Sequence, residues 1–314
     1  MILVLVGVVL PVFLVAGAGY LASRSGLFSQ AGVDGLMRFT QTFAIPCLLF
    51  RAIADLDLAA VFDPRLLISF YTGAVLSFAL GVFGARVIFR RRPGEAVAIG
   101  FGALFSNSVL LGLPIMERAY GAEALPPVFA IISIHAPFCY LLGISVMEVA
   151  RADGRGLLGT GRAVMRAMFR NALMIGLALG FAVNLGGIPL PGPLRAGVDL
   201  MAQAALPAAL FGLGGVLTRY ALRASLAEAG MIAGLSLVFH PTIAWLLTSR
   251  VFDLPDDFVR AAVVTASMAP GINTYVFASL YSRGQAQAAS SILLATALSV
   301  LTVSAWLAVL GGAG

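Results

Sequence analysis

Ser106–Pro114 reads SNSVLLGLP, and 161 residues farther along the chain Ser267–Tyr275 reads SMAPGINTY. The same displacement carries AIPCLLF at Ala44–Phe50 onto ALPAALF at Ala205–Phe211. This displacement, found for both segments, is close to half of the 314-residue chain, which indicates that the second half repeats the first. If each half holds an odd number of membrane spans, the two halves have opposite orientations. Inverted repeats of this kind are typical of secondary transporters.

The composition excludes a soluble fold. Hydrophobic residues make up 60% of the chain and charged residues only 11%, whereas soluble domains carry about 25% charged residues. The apolar runs are too long for the roughly ten-residue alternating strands of an outer-membrane barrel. We therefore expect an all-α polytopic membrane protein with ten transmembrane helices, arranged as two inverted five-helix repeats. The predicted spans are 2–22, 34–52, 66–89, 95–116, 126–149, 167–186, 196–217, 226–249, 259–281 and 286–310.

The distribution of arginine sets the expected orientation. The chain has no lysine, and when the predicted spans are counted alternately, 14 arginines fall on one side and 6 on the other. Positive charge marks the cytoplasmic side, so we expect a multi-pass protein of the cell (inner) membrane with both termini extracytoplasmic. Residues 151–166 then form a cytoplasmic linker between a first repeat at 1–150 and a second at 167–314. Nucleic acid is not an expected partner, because no arginine-rich block is interleaved with aromatic residues.

Predicted spans four and nine each carry a polar cluster near the middle. Proline removes a backbone donor and glycine permits non-helical angles, so both helices should unwind there. A membrane tolerates unwound backbone only where protein buries it or where it lines a cavity, and the freed N–H groups favour an anion. For one cluster taken alone, a simple kink is the alternative. The expected substrate-binding residues are Ser106, Asn107, Ser108, Gly112, Pro114, Pro270, Gly271, Asn273, Thr274 and Tyr275.

The run SNSVLLGLP in span four, PGINTYVFA in span nine and the proline-centred span two resemble the auxin efflux carrier family, which includes bacterial permeases for small organic acids. The resemblance covers essentially the whole chain. It implies a fold like that of bile acid and sodium/proton transporters, with helices 1, 2, 6 and 7 as a dimerising scaffold. Helices 3, 4, 5, 8, 9 and 10 would form a moving core in which helices 4 and 9 cross. The family's crossover residues map onto Pro114, Pro270, Asn107 and Asn273, although the first crossover has one proline where plant members have two.

Five further polar residues lie inside predicted spans. Gln41 and Thr42 in span two and Gln203 in span seven precede the paired prolines by about a turn, so they are expected to face the substrate from the scaffold. Hydrogen bonds to a neighbouring helix are the alternative for these three. His135 in span five and His240 in span eight are candidates for a substrate or proton role, because an intramembrane histidine is costly and often functional. Helix-packing hydrogen bonds are the alternative for both histidines.

Together these features predict a secondary transporter of a small organic anion, a malonate-like, malate-like or auxin-like carboxylate, which works by an elevator-type movement. A sodium-coupled bile-acid-type symporter shares the architecture and is the alternative. We do not expect an enzyme, a cofactor or a metal site, because neither histidine has a Ser or Asp at a spacing typical of a catalytic nucleophile and its base. There is no Walker-type loop for ATP.

The acidic residues bear on coupling. All 14 lie near predicted span ends or in loops, whereas proton and sodium carriers commonly hold a carboxylate in the membrane interior. We therefore expect transport without obligatory sodium coupling, driven by the anion's own gradient or by protons through His135 or His240.

Cysteine labelling tests the orientation. In a background that carries Cys47→Ser and Cys139→Ser, Gly314→Cys should react with a membrane-impermeant thiol reagent in intact cells, because the C-terminus is expected outside. Gly156→Cys in the predicted linker should react only after the cells are permeabilised. The reverse labelling pattern would overturn the orientation.

Overall fold

The computed structural model describes residues 5–151, 172–220 and 225–311, and these residues are almost entirely helical. Within these ranges no β-strand forms, and a single isolated antiparallel bridge joins Ser106 to Pro270. The all-α prediction is therefore confirmed for the described part of the chain. The predicted linker after residue 151 and the first residues of the predicted span at 167–186 lie outside the described ranges.

Helices are numbered here in chain order, and a helix interrupted by a π-helical turn keeps one number. Helix α2 joins Gln30–Phe39 to Ile45–Ala54 through the turn Thr40–Ala44, and a similar turn, Ser108–Gly112, precedes α4b. The helices are α1 (Leu10–Arg24), α2 (30–54), α3 (Pro64–Val87), α4a (Pro93–Leu104), α4b (Leu113–Tyr120), α5 (Pro126–Arg151), α6 (Ala172–Leu185), α7 (Gly192–Leu217), α8 (Leu226–Val251), α9a (Asp256–Ala266), α9b (Ile272–Leu280) and α10 (Gln285–Val309).

Helix starts follow local chemistry. The Ser29 side chain accepts a hydrogen bond from the N–H of Gly32 at 3.1 Å and so caps α2. Asp63 caps α3 by accepting from the N–H of Arg65 at 2.7 Å, and Pro64 then occupies the first turn, where no N–H is needed. The caps place these helix ends at polar residues, as a membrane boundary requires.

Six helices in the described ranges are long and apolar enough to cross a membrane: α1 with its preceding turn, α3, α5, α7, α8 and α10. Helices α4a and α6 are apolar but shorter. Large apolar side chains on the long helices are exposed, such as Phe83 at 62% and Leu301 at 64%, and contact with lipid tails accounts for this exposure. The protein is therefore a multi-pass helical membrane protein, and the number of ten spans remains a prediction.

Inter-residue contacts divide the chain into two compact units. The first consists of Met1–Pro11, Phe62–Gly161 and Tyr220–Gly314, and the second consists of Val12–Val61 and Arg162–Arg219. In their described parts, the first unit contains α3, α4a, α4b, α5, α8, α9a, α9b and α10. The second unit contains most of α1, together with α2, α6 and α7.

In the first unit, α3 packs against both α4a and α8. A methyl group placed on Gly81 of α3 would lie 3.0 Å from the Cα of Gly100 of α4a, so the two backbones approach closely. Near the start of α8, buried Glu228 forms a salt bridge with Arg91, whose Nε lies 2.9 Å from Oε1 of Glu228. Arg91 comes from the segment between α3 and α4a, so this pair ties the two parts of the first unit together.

In the second unit, glycines allow helix backbones to touch. A Cβ on Gly19 of α1 would overlap the carbonyl group of Phe211 of α7. Gly176 and Gly180 of α6 face the carbonyl oxygens of Pro46 and Phe50 of α2, which would lie 2.5 Å and 2.8 Å from added Cβ atoms. Membrane helices gain little from the hydrophobic effect, so such close packing is a main source of their association.

The glycine contacts of α1 yield a stability prediction. Gly19→Ala should lower the thermal unfolding temperature of the purified protein, because the new methyl group overlaps the Phe211 backbone, and overpacking costs about 1–3 kcal/mol. Gly17→Ala on the same helix is the matched control, since no atom lies within 4 Å of its added Cβ. Equal unfolding temperatures for the two variants would contradict this packing.

Candidate functional site

Two helices of the first unit are broken. Helix α4a ends at Leu104, Phe105 is extended, and a π-helical turn begins at Ser108. Helix α9a ends at Ala266, and α9b begins at Ile272 after extended Gly271. The breaks that the two polar clusters predict are therefore present in the structure.

The two breaks pair with each other. The N–H of Asn107 donates to the carbonyl of Ala269 at 2.9 Å, and the N–H of Gly271 donates to the carbonyl of Phe105 at 3.0 Å. Between these bonds Ser106 and Pro270 lie opposite each other in an antiparallel bridge. In such a pair neither central residue uses its own N–H, so proline, which has none, fits this position. We call this pairing the crossover.

The position of the first break differs from the expectation. Gly112 ends the π-helical turn and Pro114 lies in the first turn of α4b, so both belong to helical structure and the break lies earlier, at 105–107. The physical reason is that Pro114 directly follows the π-helical turn, where the N–H of Leu113 bonds to the carbonyl of Ser108 and the regular i to i−4 pattern that a proline would interrupt is already replaced. A methyl group on Gly112 would meet Met268 at an ordinary 3.5 Å, so this glycine is not required for the break.

Polar side chains from the first break form one small network. The hydroxyl oxygens of Ser106 and Ser108 are 2.7 Å apart, and Nε2 of His135 lies 3.4 Å from Oγ of Ser106. Asn107 follows Ser106 and is also buried, and its side-chain amide carries two N–H donors. These are donors of the kind that an anionic ligand accepts from.

The second break places Asn273, Thr274 and Tyr275 in the first turn of α9b. The hydroxyl of Tyr140 on α5 donates a hydrogen bond to Oδ1 of Asn273 at 3.2 Å. With its oxygen engaged, the Asn273 amide keeps its N–H groups for another acceptor. Thr274 is fully buried, and its hydroxyl has no partner among the described residues.

Tyr140 is the residue of this site that sequence reasoning missed. Its ring lies among aromatic side chains near both breaks, with centroids 5.6 Å from Phe101, 5.9 Å from Phe105 and 6.5 Å from Phe277. Tyr140 lies five residues after His135 in an apolar span, and no sequence motif there indicates a binding role. Only the tertiary packing of α5 against α4a brings it to Asn273.

The two histidines have different surroundings. The rings of His135 and His240 both approach Phe70, with centroids 5.6 Å and 4.8 Å away. Nε2 of His240 is 3.0 Å from the carbonyl oxygen of Phe70 in α3, so this histidine joins α8 to α3. His135 instead contacts Ser106 of the crossover. Helix packing therefore accounts for His240, and His135 is the histidine that belongs to the site's polar network.

The three predicted scaffold residues lie in the second unit. Gln41 and Thr42 are exposed in the π-helical turn of α2, and Gln203 is exposed on α7. The structure thus brings together the residues of the two breaks with His135, and a substrate role for these three remains a prediction. Among the described residues, no group of three or more His, Cys, Asp or Glu side chains could hold a metal ion.

Comparison with known proteins gives a family. A family model described as "Membrane transport protein" matches residues 4–307. A protein of Rhizobium meliloti (strain 1021) named "Putative malonate transporter" is 27% identical over 302 residues, which cover 95% of this chain and 93% of that protein. A protein of Methanothermobacter thermautotrophicus (strain Delta H) named "Uncharacterized transporter" is 27% identical over 314 residues, 96% of this chain and 97% of that protein.

Proposed function

Because the chain belongs to the membrane transport protein family, the auxin efflux carrier family that its sequence resembles, we propose that it carries a small organic anion across the membrane. The protein is a membrane transporter and not an enzyme. The single observation that carries the proposed substrate class is the crossover. There, amide donors of Asn107 and Asn273 stand beside the starts of two helical segments.

The chemistry of the crossover suits a carboxylate. The helical segments that begin at Ser108 and Ile272 have no side-chain cap, the first N–H groups of a helix lack a partner within it, and a helix N-terminus attracts negative charge. The hydroxyls of Ser106 and Ser108 add neutral donors. The name of the Rhizobium meliloti relative mentions malonate, and a malonate-like, malate-like or auxin-like acid is the substrate class that we propose here.

We further propose the ten-helix inverted repeat, with repeats at 1–150 and 167–314 joined by a cytoplasmic linker at 151–166. Mirrored packing within the first unit supports it. Helix α3 packs against α4a as α8 packs against α9a, and α4a contacts α10 as α9a contacts α5. These contacts of one half have counterparts in the other, which is what a repeat with a shared fold produces.

The proposed mechanism is an elevator-type movement. Helices α3 to α5 and α8 to α10 would carry the substrate, and α1, α2, α6 and α7 would form a static scaffold through which two copies associate. The division of the chain into two compact units along the same helices supports this assignment. In this proposal Gln41, Thr42 and Gln203 face the substrate from the scaffold, and both termini are extracytoplasmic in the cell membrane.

A sodium-coupled bile-acid-type symporter is the second candidate, and one observation favours it. Thr265, Thr274 and Thr296 are buried in the first unit, and within the described ranges their hydroxyls have no hydrogen-bond partner. Neutral oxygens of this kind are suitable ligands for a small hard cation. The coupling experiment below separates the two candidates.

Substitution of the crossover amides tests the binding site. Asn107→Ala and Asn273→Ala should each weaken binding of a carboxylate such as malonate by roughly 1.5–3 kcal/mol, the value of a hydrogen bond to a charged group. The measurement is ligand titration of the purified variants, with thermal unfolding to show that the fold is kept. Thr302→Ala, at a partly exposed position of α10 outside the two breaks, is the control. Unaltered affinity in both asparagine variants would show that the carboxylate binds elsewhere in the protein.

Transport assays test the coupling. Uptake into proteoliposomes should proceed when choline replaces sodium, because no carboxylate is predicted in the membrane interior to bind a driving cation. Any pH dependence should weaken in His135→Gln, which alters the histidine that contacts Ser106. His240→Gln is the matched variant, and it should retain the pH dependence because His240 bonds to the α3 backbone. Complete loss of uptake without sodium would favour the symporter.

A further inference from the structure

A cavity lies in the first unit where the ends of three helices meet. Its volume is about 230 Å³, and it is bounded by the end of α8, the following loop, the first turns of α9a and the end of α10. The charged residues that line it are Asp253, Asp256 and Arg260, and its apolar wall includes Val259, Val309 and Leu310. Drug-sized ligands occupy cavities of about 300–1,000 Å³, so this one suits a smaller group.

Arg260 is the main reason to expect a ligand. Its Nε is buried and has no hydrogen-bond acceptor among the described residues. Its Nη2 lies 3.9 Å from Oδ2 of Asp256, which is beyond hydrogen-bond distance. The guanidinium group lies over the ring of Tyr120, 4.8 Å from the centroid, in a cation–π contact. A buried donor without an acceptor is costly, and a guanidinium group binds phosphate or carboxylate best.

The aspartates define the other half of the ligand. Asp253 and Asp256 line the same cavity, and the Asp256 side chain is 88% exposed. Two carboxylates would repel a ligand that is purely anionic, but they would attract an ammonium group. The complementary ligand therefore carries both an anionic group, a phosphate or a carboxylate, and an ammonium group.

The location points to a lipid as the source of that ligand. The cavity lies at helix ends. In its apolar wall, the side chain of Val309 is 62% exposed. Trp245 lines the cavity and carries the Arg250 guanidinium over its ring at 5.5 Å. Tryptophan and arginine at helix ends are typical of the membrane interface.

We propose that this cavity binds the headgroup of phosphatidylethanolamine. The phosphate accepts hydrogen bonds from Arg260, and the ammonium group donates to Asp256 and Asp253. The glycerol and the first acyl carbons contact the apolar wall. This site is separate from the substrate crossover and does not rest on the proposed function.

Lipid binding to the purified full-length protein tests the proposal, by native mass spectrometry and thermal unfolding in mixed micelles. Dioleoyl phosphatidylethanolamine should bind more tightly than the phosphatidylcholine or the phosphatidylglycerol with the same chains. Arg260→Gln should weaken its binding by about tenfold, on the order of one charge-assisted hydrogen bond. Asp256→Asn should remove the preference over phosphatidylcholine. Arg195→Gln is the matched control, because the exposed Arg195 belongs to the second unit, where it pairs with Asp55, and it should bind as the wild type does.

Three outcomes would overturn the proposal. Equal binding of the three lipids would show that the headgroup is not recognised, and tighter binding of phosphatidylglycerol would indicate a simple anion site. Full competition by water-soluble phosphoethanolamine at low concentration would identify a free solute as the ligand. If Arg260→Gln does not fold, Asp256→Asn still decides the question, because the Asp256 side chain is 88% exposed and its loss leaves the core intact.

Discussion

The first unit depends on one constraint, which is that backbone polar groups in a membrane must be paired within the protein. Two broken helices would each leave several such groups unsatisfied. The crossover pairs part of these groups with two bonds, from Asn107 to Ala269 and from Gly271 to Phe105, so each break supplies acceptors for the other. The pairing of the two polar clusters therefore has a structural reason of its own.

The sequence predicts the breaks but not their detailed positions. The displacement of 161 residues identifies both polar clusters, and the structure has a break at each. Composition alone does not show where a helix resumes, so Pro114 is expected in the break although it lies within the helical segment that resumes at Ser108. The same uncertainty does not affect Pro270, because a bridge position that needs no N–H accepts proline inside the break.

The side-chain network of the site follows from tertiary packing and was therefore beyond sequence reasoning. Tyr140 reaches Asn273 because α5 packs against α4a and surrounds its ring with phenylalanines. The difference between His135 and His240 has the same origin, since one faces a serine of the crossover and the other faces a helix carbonyl. The sequence alone does not distinguish the roles of the two histidines, because both are followed by proline near the middle of a predicted span.

The donors at the crossover are amides, hydroxyls and backbone N–H groups, and this choice suits a carrier better than a charged side chain would. A buried arginine would bind a carboxylate tightly, but after release it would remain as an unpaired buried charge, which is strongly unfavourable. A neutral amide such as that of Asn107 or Asn273 loses far less when its ligand leaves. In the proposed cycle the site must be occupied on one side of the membrane and empty on the return. A cage of neutral donors keeps the free energies of these two states close together, so neither state becomes a trap.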